Sequence, residues 1–364
     1  MKNFLNVYLL PGLIFQGVVI GGGYATGREI AEFFLPLGAY GGLLGLLVSA
    51  TVFGIVMSIS FEIVRVTKKF DYQSFFHELI GPFGAIYEVL LVILMLLVLS
   101  VLSSASFSLW ESIFNWPSSL CLMILPFCIS MLVIFNNENL SKILGIFSLC
   151  LYFCFLILLV WSISLNDGVD FSYESDLFNL KWIGNGISYA GYNLAVIPAI
   201  FFSLIHIKER KQALVSGMLA GFIGVFPAVF LFIAMLSLYP EILNAELPTL
   251  LLLEKINNSY FSSIFQLVLF ATFVQTGVGF IHAINERIDT ALTFKSIKFI
   301  KIHRVIIALI CLFSAVIMAE NFGIIVLISK GYTALSYGFI LFFLIPVVTL
   351  GVRKIFFNPK FYSH

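Results

Sequence analysis

The stretch Gly21-Gly22-Gly23-Tyr24-Ala25-Thr26-Gly27 lies inside the first long apolar segment of the chain. Each glycine in a helix interior costs about 1 kcal/mol relative to alanine, so four glycines in seven residues predict that the helix breaks here. A break at membrane depth frees backbone N–H and C=O groups that hydrocarbon cannot satisfy. It is tolerated only where it faces protein, water, a solute or an ion. Residues 21 to 27 are therefore a candidate binding site.

The rest of the chain supports a membrane setting. Its 364 residues are 60% hydrophobic and 11% charged, with a mean hydropathy of +1.06, far from the roughly 25% charged residues of soluble domains. The apolar runs are about as long as the roughly 20 residues a bilayer-crossing helix needs. They are too continuous for the alternating pattern of an outer-membrane barrel. The predicted class is an all-α polytopic membrane protein. The net charge of +1 and the scattered basic residues carry no nucleic-acid signal. Cys121, Cys128, Cys150, Cys154 and Cys311 all fall in apolar spans and read as small buried side chains. The early charge is Lys2 alone and no small-residue cleavage site follows, so the first span is expected to stay.

In order, about ten spans are expected. The first runs from about 7 to 34 and the second from about 43 to 66, with Gly38, Gly41 and Gly42 in the turn between them. Residues 71 to 80 then form a surface helix, because Tyr72, Phe75, Phe76, Leu79 and Ile80 share one helical face. Spans three to five cover about 83–110, 119–135 and 140–164. An acidic connection, Leu165 to Lys181, leads to span six (182–205), interrupted at Ser188-Tyr189-Ala190-Gly191-Tyr192-Asn193. Span seven (213–238), a second surface segment (Tyr239–Asn258) and spans eight (260–284), nine (305–319) and ten (within 332–351) complete the chain. Residues 322 to 331 read either as a short outer helix or as the start of span ten. With a cytoplasmic N-terminus this arrangement puts 16 of the 20 Lys and Arg on the inner side, leaving Arg28, Lys181, Lys255 and Lys330. That bias follows the positive-inside rule and predicts an inner-membrane protein with both termini cytoplasmic.

Laying residue n on residue n+165 matches Gly21 with Gly186, Tyr24 with Tyr189 and Ala25 with Ala190, and brings the two interruptions into register. Each surface segment also follows the second span of its half. Five spans per half make the second half enter from the opposite side. The expected division is an inverted repeat, with residues 1–165 and 166–353 as the halves and 354–364 as a short cytoplasmic tail. Interrupted spans at matching places in two such halves point to a midplane site in a secondary transporter.

The candidate solute site is then Gly21, Gly22, Gly23, Tyr24, Ala25 and Thr26 from the first break and Ser188, Tyr189, Ala190, Gly191 and Tyr192 from the second. Half-helix N-termini favour a carboxylate, small residues let a solute reach the backbone, and Tyr24, Tyr189 and Tyr192 can close over it. The same glycines also suit tight helix packing, and tyrosines are common at membrane interfaces. In span three, Ser103 and Ser104 share a region with Ser100 and Phe107. Their hydroxyls either line the cavity or bond back to their own helix.

The run Gly-Gly-Gly-Tyr-Ala-Thr-Gly-Arg-Glu-Ile (21 to 30), followed by Glu32-Phe33-Phe34, resembles the YkvI-like bacterial membrane proteins, distant relatives of the amino acid-polyamine-organocation superfamily. The resemblance implies a LeuT-type fold, a 5+5 inverted repeat with broken helices 1 and 6 around the substrate. It implies that Thr276, with Thr272 one turn away, joins carbonyls of Val18 and Gly21 around a sodium ion. The adjacent hydroxyl pair of sodium-coupled relatives is missing, since Gln275 holds one place. It also places Arg28 at an outer gate, with Glu320 a candidate partner. Arg28 alternatively snorkels to the interface. Glu29, a further gate candidate, and Glu32 share its half-helix, where charged groups in a span are functional candidates by default. Glu286 is a candidate for an inner gate, beside Arg287.

The function expected is secondary active transport of a small solute, an amino acid or related nitrogenous compound, by alternating access. The alternative is a solute receptor of the same fold that does not transport. An enzyme is not expected: His77-Glu78 has no second histidine at zincin spacing, and neither a nucleophile elbow nor a phosphate loop is present. No cofactor is expected apart from sodium as a candidate coupling ion. The partners are the solute and the lipid bilayer, and the oligomeric state is left open.

Overall fold

The computed structural model describes residues 4–22, 24–114, 117–135, 138–165, 178–293 and 300–357. The described chain is helical throughout. Helix α1 (Leu10–Gly22) is preceded by a π turn, Leu5–Leu9. Then come α2 (Arg28–Phe33), α3 (Gly38–Thr67), α4 (Tyr72–Ile80), α5 (Gly84–Phe114), α6 (Ser118–Phe135), α7 (Glu138–Leu165) and α8 (Lys181–Asn193). A 3-10 helix, Leu194–His206, continues α8, and α9 (Arg210–Leu236), α10 (Pro248–Ile256), α11 (Ser259–Thr293) and α12 (Lys301–Val326) follow. The last crossing alternates π turns with α13 (Thr333–Phe339) and α14 (Val352–Phe357).

Among the described residues, six stretches are long and apolar enough to cross a bilayer, and Leu5–Gly21, Ser118–Val133 and Cys150–Ser164 add three shorter apolar helices. The longest, Lys301–Phe356, has 56 residues. A straight helix of that length spans about 84 Å at 1.5 Å per residue, against a hydrocarbon core of about 30 Å. It divides at Gly323, whose φ of 66° and ψ of 166° lie outside the helical region. Residues 324 to 331 thus begin the last crossing and are not a separate outer helix. Among the described residues ten apolar stretches thus qualify as candidate crossings.

In lipid no hydrophobic force draws helices together, so close backbone approach and hydrogen bonds must hold them. The α3–α9 crossing is built this way. A Cβ at Gly217 would lie 2.3 Å from the Ser58 nitrogen, and one at Gly221 2.3 Å from the Gly54 nitrogen. Ser58 Oγ donates to the Leu214 carbonyl at 2.7 Å along the same seam. Gly41 and Gly42, expected in a turn, lie within α3, where Gly42 makes room for the Phe232 ring.

Basic and acidic side chains gather at one end of the bundle. Arg65 pairs with Glu62 at 2.7 Å and donates to the Lys208 carbonyl, while Lys69 and Lys354 both hold Glu78 at 2.8 Å. Helix α4 sits at this basic end. Its first turn is capped by Asp71 Oδ1, which accepts from the Ser74 N–H at 2.8 Å, and it buries Phe75, Phe76 and Leu79, on the face expected from the sequence. In the second surface segment helix α10, at the opposite end, buries Pro248, Thr249, Leu252, Leu253 and Ile256 and leaves Glu254 and Lys255 exposed. The acidic connection lies mostly outside the described residues, as do Lys295, Lys298 and the last seven residues.

Candidate functional site

The first crossing breaks at the glycine run. Helix α1 ends at Gly22, a 3-10 turn covers Tyr24–Thr26, and Gly27 adopts φ +80°, ψ −14° before α2 begins. That left-handed conformation is open to glycine at little cost and strained for other residues. Several of the groups at the break are answered by the protein itself. The Gly27 N–H donates to the Tyr24 carbonyl (2.9 Å), the Arg28 N–H to Thr26 Oγ1 (3.2 Å), Thr249 Oγ1 to the Thr26 carbonyl (3.1 Å) and Tyr24 Oη to the Gly224 carbonyl (3.2 Å). Helix α2 has six residues, and at its start the Arg28 N–H is met by the Thr26 hydroxyl. Gly23 lies outside the described residues, and of Gly22 only the backbone is described.

The sixth crossing corrects the expectation of an interruption at Ser188 to Asn193. Helix α8 runs unbroken through Asn193, whose Nδ2 donates to the Tyr189 carbonyl at 3.1 Å, and only its hydrogen-bond pattern changes there, to a 3-10 helix of 13 residues. Runs of 3-10 helix longer than three or four residues are uncommon. Gly191 serves packing: a Cβ there would lie 3.0 Å from Ile340 Cγ1 and from the Ser336 carbonyl of the last crossing.

Between the end of α1 and the 3-10 helix lies a cavity of about 720 Å³, within the range of small-molecule sites. Helix α1 lends it Leu13, Gln16, Gly17, Val18 and Ile20, and the 3-10 helix Ala195, Pro198 and Ala199. Tyr87, Leu91 and Met95, at i, i+4 and i+8, give one face of α5, and Gln275, Thr276, Gly279 and Phe280 give α11. Tyr87 Oη donates to the Ala195 carbonyl at 2.8 Å and ties two walls together. At the basic end the lining includes Tyr72 and Arg287. Glu88 holds both, with Arg287 Nε at 2.9 Å and Tyr72 Oη at 3.2 Å, and the guanidinium lies 4.5 Å from the Tyr72 ring centroid.

The opposite end is sealed. Arg28, 4% exposed, donates through Nη1 to the Leu243 (2.7 Å) and Ala245 (3.0 Å) carbonyls and pairs through Nη2 with Glu32 at 2.7 Å. Its partners are therefore main-chain carbonyls and a neighbour one turn away. Glu320 is exposed. Ser108 Oγ donates to Glu246 at 2.7 Å, fastening the same segment to α5.

The expected solute residues are placed as follows. Tyr24, Ala25, Thr26, Tyr189, Ala190, Gly191 and Tyr192 are all buried on the sealed side of the break, outside the cavity lining. Ser103 Oγ donates to the Leu99 carbonyl and Ser100 Oγ to the Leu96 carbonyl, both at 2.8 Å, and Ser104 is buried with them. Ser100 and Ser103 turn into their own helix, and the α5 face at the cavity is aromatic and aliphatic. The Ser188 carbonyl accepts from Ser336 Oγ at 2.7 Å. Of the expected ion ligands, Val18 and Thr276 line the cavity, and a Cβ on Gly21 would lie 2.5 Å from Thr276 Oγ1 and 3.3 Å from Thr272 Cγ2. Gly21, Thr272 and Thr276 are thus neighbours, with Thr272 Oγ1 donating to the Val268 carbonyl at 2.8 Å. Glu286 is half-exposed and pairs with Arg304 at 2.6 Å, away from the cavity lining. Glu29 is fully buried and accepts from Tyr192 Oη at 2.5 Å.

Gln16, Gly17, Tyr87 and Gly279 were not singled out from the sequence. Gln16 offered a signal, a lone amide in an apolar span. Tyr87 offered none, because its role depends on a carbonyl 108 residues away.

No family model matches the chain. It is 24% identical over 295 residues to the uncharacterized membrane protein YkvI of Bacillus subtilis (strain 168), covering 78% of this chain and 81% of that protein. Among solved structures it is similar to a mutant of the Eremococcus coleocola manganese transporter (TM-score 0.60, 14% identity, 94% of this chain and 78% of that one). It is also similar to that transporter in complex with an aromatic bis-isothiourea substituted compound (TM-score 0.62, 13% identity, the same coverage). The resemblance to YkvI carried by residues 21 to 34 thus extends over most of the chain, and the fold is that of helical membrane transporters.

Proposed function

We propose that this protein is a secondary active transporter of a small organic solute, an amino acid or related nitrogenous compound, described here with its cavity open toward the cytoplasm. One observation carries the reading: a cavity beside the broken first crossing reaches the basic end, at Tyr72 and Arg287, while the other end is held shut by Arg28 and the segment 239–256. Alternating access requires such a state and a partner state with the seals exchanged. The basic end is assigned to the cytoplasm by the positive-inside rule. The two-half division, at residues 165/166, belongs to this reading and is supported by α4 and α10 each following the second crossing of its half.

The lining favours an amphipathic organic solute. Leu13, Val18, Leu91, Met95 and Phe280 suit an apolar body, and Gln16, Gln275 and Thr276 suit a polar head. Manganese calls for hard oxygen and imidazole donors. The cavity lining has no carboxylate or histidine, and among the described residues no group of three or more His, Cys, Asp or Glu stands together. The substrate of the structural neighbours is therefore not carried over. Sodium as coupling ion is supported by the closeness of Gly21 and Thr276.

A thermal-shift screen of amino acids, with and without sodium, tests the reading. A bound solute raises stability by about 2.7 kcal/mol at a concentration one hundred times its Kd, and no response to any amino acid or amine counts against it. Proteoliposomes under an ion gradient are expected to accumulate the solute that responds; binding without accumulation would indicate a receptor. Thr276→Val is expected to remove any sodium dependence of that uptake while leaving the fold intact, and unchanged sodium dependence overturns the ion assignment.

A further inference from the structure

Behind the break, on the sealed side, a carboxyl group stands among aromatic rings with its hydrogen bonding incomplete. Glu29 is 0% exposed. Its Oε2 accepts from Tyr192 Oη at 2.5 Å, while Oε1 is buried with no hydrogen-bond partner, as are the hydroxyls of Tyr189 and Tyr332. The rings enclose the site: Tyr192 lies 4.6 Å from Tyr332 and 5.7 Å from Tyr189, and Phe33 lies within 5.9 Å of Tyr189 and Tyr192.

Among the described residues no cation pairs with the carboxyl. Arg28, its neighbour on α2, spends its guanidinium on Leu243, Ala245 and Glu32. Around it, α8 brings Tyr189 and Tyr192, the turn before α2 brings Tyr24, and the last crossing brings Tyr332, with Lys330 exposed to solvent. The segment ahead of α10 brings Glu241, which is paired with Lys255 at 3.3 Å. The charged residues of α9, Arg210 and Lys211, are at the basic end. An unpaired carboxylate in such surroundings is among the costliest groups to bury, whereas a neutral carboxylic acid is not. The group also sits where α2, α8 and the last crossing meet, and these must part for the sealed end to open.

We propose that Glu29 is a proton-binding site of the transport cycle, taking up one proton as the sealed end closes and returning it as that end opens. The step is an acid–base exchange with water on the side opposite the basic end: carboxylate plus proton gives carboxylic acid on closing, with no other bond made or broken. By linkage, a proton that binds only the closed state shifts the population toward it. The inference rests on the alternating-access reading and is independent of the Thr276 site.

The test uses the full chain in lipid nanodiscs, with the five native cysteines replaced by serine and spin labels on Lys181→Cys (start of α8) and Glu254→Cys (α10), both exposed positions. Lowering the pH is expected to gather the label–label distances into the closed population, with the closed-to-open ratio changing by up to tenfold per pH unit for a one-proton linkage. Glu29→Gln, which mimics the acid form, is expected to stay closed at every pH. Glu29→Asp is expected to keep a pH response with its midpoint moved by at least about half a unit, which keeps the test open should Glu29→Gln fail to fold. A wild-type distribution indifferent to pH, one that follows sodium or potassium instead, a Glu29→Gln variant that still responds to pH, or an unmoved midpoint in Glu29→Asp overturns the assignment. Failure to accumulate any solute, with the pH response intact, counts against the transport reading alone.

Discussion

Gly17→Leu is expected to abolish solute binding and uptake while raising the thermal stability of the protein. Gly17 lies on the cavity wall of α1, and a Cβ there meets no atom within 4 Å. A leucine side chain would therefore enter the empty space without displacing protein. In the helix it removes the conformational cost of glycine, about 1 kcal/mol, so the melting temperature should rise. In the cavity it takes volume that the solute needs. A loss of at least a hundredfold in affinity, about 2.8 kcal/mol, is expected in the thermal-shift and uptake assays. Gly279 on α11 has the same open surroundings and its leucine variant should behave alike. An undiminished ligand response in both would mean that the cavity is not where the solute binds.

Gly221→Leu is expected to do the reverse and to leave little folded protein. A Cβ at residue 221 would lie 2.3 Å from the Gly54 nitrogen, 2.5 Å from the Ala50 carbonyl oxygen and 2.7 Å from the Gly54 Cα. These are backbone atoms of α3 and cannot rotate aside, so the two helices must separate along their whole seam. Overpacking a tight core typically costs about 1–3 kcal/mol. Loss of the closest helix contact in a bilayer, where packing is the main attraction, should bring the total to about 3 kcal/mol or more. The measurement is the monodisperse yield in detergent and the unfolding temperature, compared with Gly184→Ala, whose Cβ meets nothing within 4 Å. A well-folded Gly221→Leu would refute the crossing as described.

What was legible in the sequence was whatever depends on local composition. The glycine run at 21 to 27 breaks the first crossing because the cost of glycine is a property of the residue itself. The inward face of α4 was legible because Phe75, Phe76 and Leu79 repeat at helical spacing. What was not legible depends on partners distant in sequence. Gly191 looks like a helix breaker, but it is a packing glycine because Ser336 and Ile340 lie against it. For Ser100 and Ser103 the sequence leaves cavity lining and back-bonding open, and only the structure, with the Leu96 and Leu99 carbonyls one turn back as acceptors, decides for the second. Gly17 and Gly279, which face the cavity, carry the same letter as Gly217 and Gly221, which clamp two helices. Only their surroundings in space distinguish them.

The Arg28 contacts have an evolutionary consequence. A side chain that grips peptide oxygens is indifferent to which residues carry them, so the loop containing Leu243 and Ala245 can drift in composition while the lock holds, provided its path is kept. Descendants of this protein are thus free to rewrite that loop, whereas the arginine itself and the bend that aims it leave little latitude.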